Sequence, residues 1–273
     1  MKQRPIHRRR VRGFSLIEIA IGMVILGLTA AGLVMVLNQQ AEQRRFAETR
    51  GTLLQARDAL LAFVAANGRL PCPAVAATGG QESRVAPNSP QCTQNAGFLP
   101  AVTLGLPNLD PNGLLLDGWA DGAGNDDGSF RRAIRYAITP LAPTAPNALT
   151  AAGLGNPTLA GRQQVAAAFA ADEGLFVCRG SVGLAGAGNR CGAAANTLSA
   201  NAAVILWSLG FNGNAAANWS ADELQNANQP VARVVVSREY APPGAQGGGF
   251  DDMVTWIPFP LVIDRLLTAG HVQ

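Results

Sequence analysis

The first 37 residues constrain what the rest of the chain can become. Six basic residues, Lys2, Arg4, Arg8, Arg9, Arg10 and Arg12, precede Gly13, and the stretch from Phe14 to Leu37 carries a single charge, Glu18. At 1.5 Å per residue that stretch makes roughly 36 Å of helix, enough to cross a hydrocarbon layer of about 30 Å with some tilt. Lys and Arg beside a span resist translocation, so the expected topology is a cytoplasmic N-terminus, one span over 14–38 and an exported remainder. A secretory signal cut at Thr29-Ala30-Ala31 is a rival reading. Against it, Leu33-Val34-Met35-Val36-Leu37 carry the apolar run past the cut. A twin-arginine signal is weaker still, because Arg9-Arg10 lack the expected downstream pattern.

Glu18 is the anomaly in the run. A carboxylate in lipid costs on the order of 3 kcal/mol at the bilayer centre and less near the ends, so it needs a partner or a task. The plain reading is a Glu one turn from the interface, snorkelling or protonated. Its setting argues for more. After the basic leader, Gly13-Phe14-Ser15-Leu16-Ile17-Glu18 resembles the processing site of the type IV pilin and type II secretion pseudopilin superfamily. The resemblance implies that prepilin peptidase cuts after Gly13 and that the new N-terminus, Phe14, is methylated. It also implies that Glu18 pairs with the α-amino group of a neighbouring subunit. The chemistry is consistent: cleavage creates a cation within the apolar layer, and Glu18 supplies the opposite charge that makes burial tolerable.

Composition narrows the rest. The leader holds six of the 21 basic residues, so the processed chain carries 15 against 18 acidic ones. No basic patch remains to suggest nucleic acid as a partner of the head. The four cysteines fall into two local pairs, Cys72/Cys92 and Cys178/Cys191, which in an exported domain points to two disulfides worth about 3 kcal/mol each. A metal site made of cysteines is disfavoured, because there is no C-x-x-C and the two histidines, His7 and His271, sit at opposite ends.

Beyond the span the helix is expected to continue through 39–67. Phe46, Thr49, Leu53, Ala56, Leu60 and Phe63 recur at spacings of three and four, with most charges off that stripe. Asn67-Gly68 followed by Pro71 is a stop signal. Residues 68–273 then read as a periplasmic globular head. An irregular region runs to about Pro100, and Ala133 to Ile138 alternates as a strand. A helix is expected around Gln163 to Ala171, strands at Leu175–Cys178, Ala203–Gly210 and Val231–Val236, and a short helix at Leu261–Leu267. The fold class expected is α+β: a long N-terminal helix, membrane-spanning in its first half, packed on a small antiparallel sheet with loop insertions. Asp117-Gly118-Trp119 followed by Tyr136 resembles the Asp-x-Trp-Gly-Asn-Pro-x-x-Tyr segment of pseudopilins, with Ala120 in place of the Gly and the insert Asp121 to Gly128 in between.

Cation binding has two candidate positions. Ser208-Leu209-Gly210-Phe211-Asn212-Gly213 and the loop at Asp251-Asp252 resemble the end of major pseudopilins, where such a turn and a downstream Asp loop bind calcium, a hard cation suited to oxygen ligands. Here Asn212 replaces an Asp and about 40 residues intervene, so the plain alternative is that Asp251 and Asp252 cap a turn or helix start. The second position, Asp121 to Gly128, fails the EF-hand spacing, since Asp126 stands where Gly is required, and it reads as a solvated loop. No cofactor other than calcium is indicated. Enzyme signatures are missing: Arg179-Gly180-Ser181-Val182-Gly183 lacks the first Gly of a nucleophile elbow. No histidine in the body of the head offers general acid or base catalysis.

These readings lead to a non-enzymatic, pilin-like structural subunit of minor type, held in the inner membrane with its head in the periplasm. Its expected partners are prepilin peptidase, other pilin or pseudopilin subunits, an inner-membrane assembly platform and membrane lipid. The alternative class is a single-pass anchored periplasmic enzyme or ligand-binding domain that is not processed.

Overall fold

The computed structural model describes residues 16–120, 127–152, 159–184, 190–213, 216–227 and 233–272, with the side chains at 30–39, 127–129, 159–160 and 216 left out. The processing residues Gly13 and Phe14, and the insert from Asp121 to Asp126, lie outside the described residues. Two compact units are present, Met1–Arg44 and Arg45–Gln273. One helix, α1 (Leu16–Asn67), contributes to both.

In the first unit the side chains of α1 from Leu16 to Thr29 are apolar but for Glu18 and Thr29, and bare. Leu16 is 87% exposed, and Ile17, Ile21, Met23, Val24, Leu26 and Leu28 are all more than half exposed. Apolar surface on this scale marks a partner or lipid contact rather than a finished surface. Even so, among the described residues no helix is long and apolar enough to cross a membrane. The side chains described in this run end at Thr29, short of the about 20 residues a span needs. Glu18 lies in the first turn of α1 and is exposed.

In the second unit α1 supplies one wall of the core. Thr49, Leu53, Ala56, Leu60 and Val64, three or four residues apart, are almost wholly buried, as the side-chain geometry of a helix face requires. The stripe ends on Val64 rather than Phe63, whose ring instead carries the Arg69 guanidinium at 5.0 Å. Gly68, at φ 67°, closes the helix by donating its N–H to the Val64 carbonyl at 2.9 Å.

Among the described residues six strands follow: β1 (Ala96–Phe98), β2 (Arg135–Ile138), β3 (Leu175–Cys178), β4 (Thr197–Ser208), β5 (Val234–Val236) and β6 (Met253–Pro258). The long strand β4 is the hub. Its C-terminal half is flanked by antiparallel β2 (Ile138↔Val204) on one edge and antiparallel β6 (Ile257↔Val204) on the other. Where β2 departs, β3 takes over the same edge, with Leu175 opposite Ala202. Thr139 seals that junction, its hydroxyl donating to the Ala202 carbonyl at 2.6 Å and accepting from the Leu175 N–H at 3.0 Å. β1 pairs antiparallel with β2, whereas β5 pairs parallel with β3. The sheet is therefore mostly antiparallel rather than wholly so as expected: after β4 the chain passes through α4 (Ala221–Ala227) and reverses, and β5 is laid beside β3, two strands earlier and running the same way, instead of beside β4.

Alternation along the strands divides the interior in two. Tyr136, Ile138, Val204, Leu206 and Ile257 face α1 and the C-terminal helix α5 (Phe259–Thr268), while Ala137, Ile205, Trp207, Val254 and Trp256 face the other side. Two short helices complete the unit, α2 (Asp127–Arg132) and α3 (Leu159–Ala170). The disulfides join Cys72 to Cys92 and Cys178 to Cys191, each with Cα atoms 5.4 Å apart. β4 begins six residues before the expected start at Ala203, since Thr197 to Asn201 hold one large apolar residue, Leu198, among polar or small ones and become strand through their pairing with β3.

Candidate functional site

The site is built where β4 ends. Gly210 takes φ 63°, and a Cβ there would stand 2.2 Å from Asp251 Oδ1 and 2.5 Å from the Asp251 carbonyl. Only glycine lets these two loops touch. The Gly210 N–H donates to Ser208 Oγ at 3.1 Å, and Arg132 reaches across to the carbonyls of Gly210 and Phe211. Trp219 Nε1 donates to the Asn212 carbonyl at 3.0 Å, which draws in the start of α4.

There Ser220 and Glu223 form a reciprocal cap. Ser220 N–H donates to Glu223 Oε2 at 2.8 Å and Glu223 N–H donates to Ser220 Oγ at 3.3 Å, a capping box. The other Glu223 oxygen, Oε1, accepts from Asn212 Nδ2 at 3.1 Å and from the Asp251 N–H at 3.2 Å. Asp251 Oδ2 accepts the Asn212 N–H at 3.1 Å, and Asp252 Oδ2 accepts Asn226 Nδ2 at 2.7 Å. The tertiary structure thus brings Asn212, Asp251 and Asp252 together and adds Glu223, which the sequence reading did not include. Its signal was present as Ser220-Ala221-Asp222-Glu223, the S-x-x-E pattern of a helix start.

Electrostatically the cluster is undercompensated. Asp251 and Asp252 are 8% and 7% exposed. Burial, followed by repulsion from Glu223, pushes the Asp251 carboxyl up to about 7 against the hydrogen bond from the Asn212 N–H. Burial and the neighbouring carboxylates push Asp252 well above the usual range. Three buried oxygens here have no hydrogen-bond partner: Asn212 Oδ1, Asp251 Oδ1 and Asp252 Oδ1. Unsatisfied buried acceptors are costly and call for an explanation. Oxygens of Glu223, Asp251 and Asp252 lie within 4.8 Å of one another. Two ligands on opposite sides of one calcium, each at about 2.4 Å, are that far apart. Donor type, spacing and orphaned oxygens all fit a single hard divalent cation.

A second buried carboxylate, Asp117, joins the segment around Trp119 to the sheet. It accepts from Ser208 Oγ at 2.6 Å and from the Trp119 N–H at 3.0 Å, and burial pushes it up to about 6. The adjacent Gly118 N–H donates to Thr49 Oγ1 on α1 at 2.9 Å, and the Trp119 ring meets Phe46 edge-on at 4.8 Å. This segment clamps α1.

Comparison with known proteins speaks to the other end of the chain. Residues 8–34 match the prokaryotic N-terminal methylation motif, the signal of type IV pilins and pseudopilins. The match covers the basic leader and the start of α1 and none of the head. No curated protein and no solved structure matches the chain.

Proposed function

We propose that the chain is a prepilin-like precursor, cut by prepilin peptidase after Gly13, methylated on Phe14 and assembled as a minor component of a type IV pilus or secretion pseudopilus. One observation carries this reading: the methylation motif at 8–34 coincides with a helix whose apolar side chains are bare from Leu16 to Leu28. Before assembly the run from Phe14 to Leu37 anchors the precursor in the inner membrane, with Arg8 to Arg12 in the cytoplasm and the head in the periplasm. After assembly the same side chains pack against homologous helices, where Gly27 and Ala31 permit close approach, and Glu18 meets a neighbour's N-terminal amine. The role is structural: subunit association, not turnover.

Within this reading Asn212, Glu223, Asp251 and Asp252 hold calcium, which neutralises carboxylates that burial otherwise penalises and ties together β4, α4 and β6. Intact-mass and N-terminal analysis of protein extracted from membranes tests the main claim. The expected product begins at Phe14 and carries one added methyl group. A product that begins at Met1, or near Ala31, would overturn it.

A further inference from the structure

β6 is an edge left open. It pairs with β4 alone, and among the described residues none of its backbone groups hydrogen-bonds to anything beyond that ladder. Its sequence, Met253-Val254-Thr255-Trp256-Ile257-Pro258, holds no charge, and only the terminal Pro blunts it. Natural sheets shield such edges with charge, bulges or covering elements, because a free row of N–H and C=O groups templates another strand. Beside this edge runs a groove of about 400 Å³, walled by Phe46, Leu54, Tyr240, Met253 and Val254, with Arg50 on the α1 side and Asp251 and Asp252, both largely buried, also in its lining. Leu54 is 46% exposed and Tyr240 53%, so apolar surface is bare where the edge is bare. Arg50 makes no hydrogen bond or ion pair among the described residues. Its neighbour in the groove, Arg238, is already engaged with Asp222 at 2.8 Å.

We infer that the β6 edge and this groove are the docking site for an extended strand of a partner polypeptide that carries a carboxylate opposite Arg50. A strand is the occupant because only a strand satisfies the unused backbone groups of β6. A helix would fill the apolar walls and leave those groups unpaired. The acid follows from charge complementarity, since Arg50 is the cation facing the groove without a partner. Apolar side chains on alternate residues of the guest would meet Leu54 and Met253, which share the α1 side of the sheet. The inference rests on the unit Arg45–Gln273 alone and does not depend on processing at Gly13.

The test uses the full chain in detergent micelles and an acetylated octapeptide of alternating Val and Thr with one central Glu, beside the same peptide with Lys for Glu. Those backbone amides of residues 253–257 that do not donate to β4 are expected to exchange freely without peptide and to gain protection with the Glu form. Arg50→Glu, at an exposed helix position, is expected to weaken the Glu peptide at least tenfold and to strengthen the Lys peptide. Protection of those outward amides without peptide, no binding at millimolar peptide, or equal affinities in Arg50→Glu would each overturn the proposal. So would preferential binding of a helix-forming peptide that copies residues 40–63, which would put a neighbouring copy's helix in the groove instead.

Discussion

At the scale of single residues, buried carboxylates dominate the head. Asp117 titrates at about 6 in the folded chain against an ordinary value of 3.8, with burial the main cause and Arg132 and Ser208 opposing it. A folded pKa above the unfolded one means the native state holds its proton longer. Stability is then greatest below about pH 4, falls as pH rises through about 6 and stays level above, a change on the order of 3 kcal/mol. Asp117→Asn should flatten that part of the pH profile, as measured by urea unfolding of the full chain in detergent with chelator present. The four-oxygen cluster predicts a different signature. Calcium at about 100 times its dissociation constant should add about 2.7 kcal/mol. Asp252→Asn, which removes one buried charge, should stabilise the chelated protein while losing most of the calcium response. Thermal unfolding with and without calcium separates these outcomes, and an unchanged response in Asp252→Asn would remove that residue from the site. Asn212, Asp251 and Asp252 could be named from a resemblance in sequence, since short turns keep their residue types. Glu223 lies on a helix whose distance from Asp251 in sequence gives no hint of contact.

At the scale of elements, α1 and the Asp117–Trp119 segment explain why the helix seats where it does. Gly118 lies so close to α1 that a Cβ would stand 2.6 Å from the Arg45 carbonyl. Gly118→Ala should therefore cost about 1–3 kcal/mol by forcing backbone apart. Gly51→Ala, on the same helix with nothing within 4 Å of its added carbon, should instead gain about 0.5–1 kcal/mol. Chemical unfolding of the two variants side by side checks the contrast. Helices α1 and α5 were readable because apolar residues at spacings of three and four are a strong local signal. β1 and α4 were not, because Ala96-Gly97-Phe98 has almost no pattern of its own, and α4 is a polar turn held by its cap and by Trp207 Nε1 donating to the Asn226 carbonyl at 3.2 Å.

At the scale of the whole molecule, processing and assembly place the prediction on Glu18. Glu18→Ala should leave thermal unfolding of the head unchanged and reduce incorporation into filaments severalfold, scored by the fraction of protein recovered in sheared filaments. Undiminished incorporation would remove the proposed pairing with a neighbour's amine. What the chain could declare by itself was whatever depends on neighbours in sequence. That includes the cleavage and methylation signal, the long helix and its stop at Gly68, and cysteines spaced closely enough to pair. What only the tertiary structure decided was whatever depends on distant segments meeting: the parallel pairing of β3 with β5, the entry of Glu223 among the oxygens around Asp251, and the edge of β6 that no other strand of the described residues covers. The physical reason is that periodicity and motif chemistry act over a few residues. Strand order and ligand sets are chosen by burying apolar faces from segments far apart, and that choice is made by the packed core as a whole.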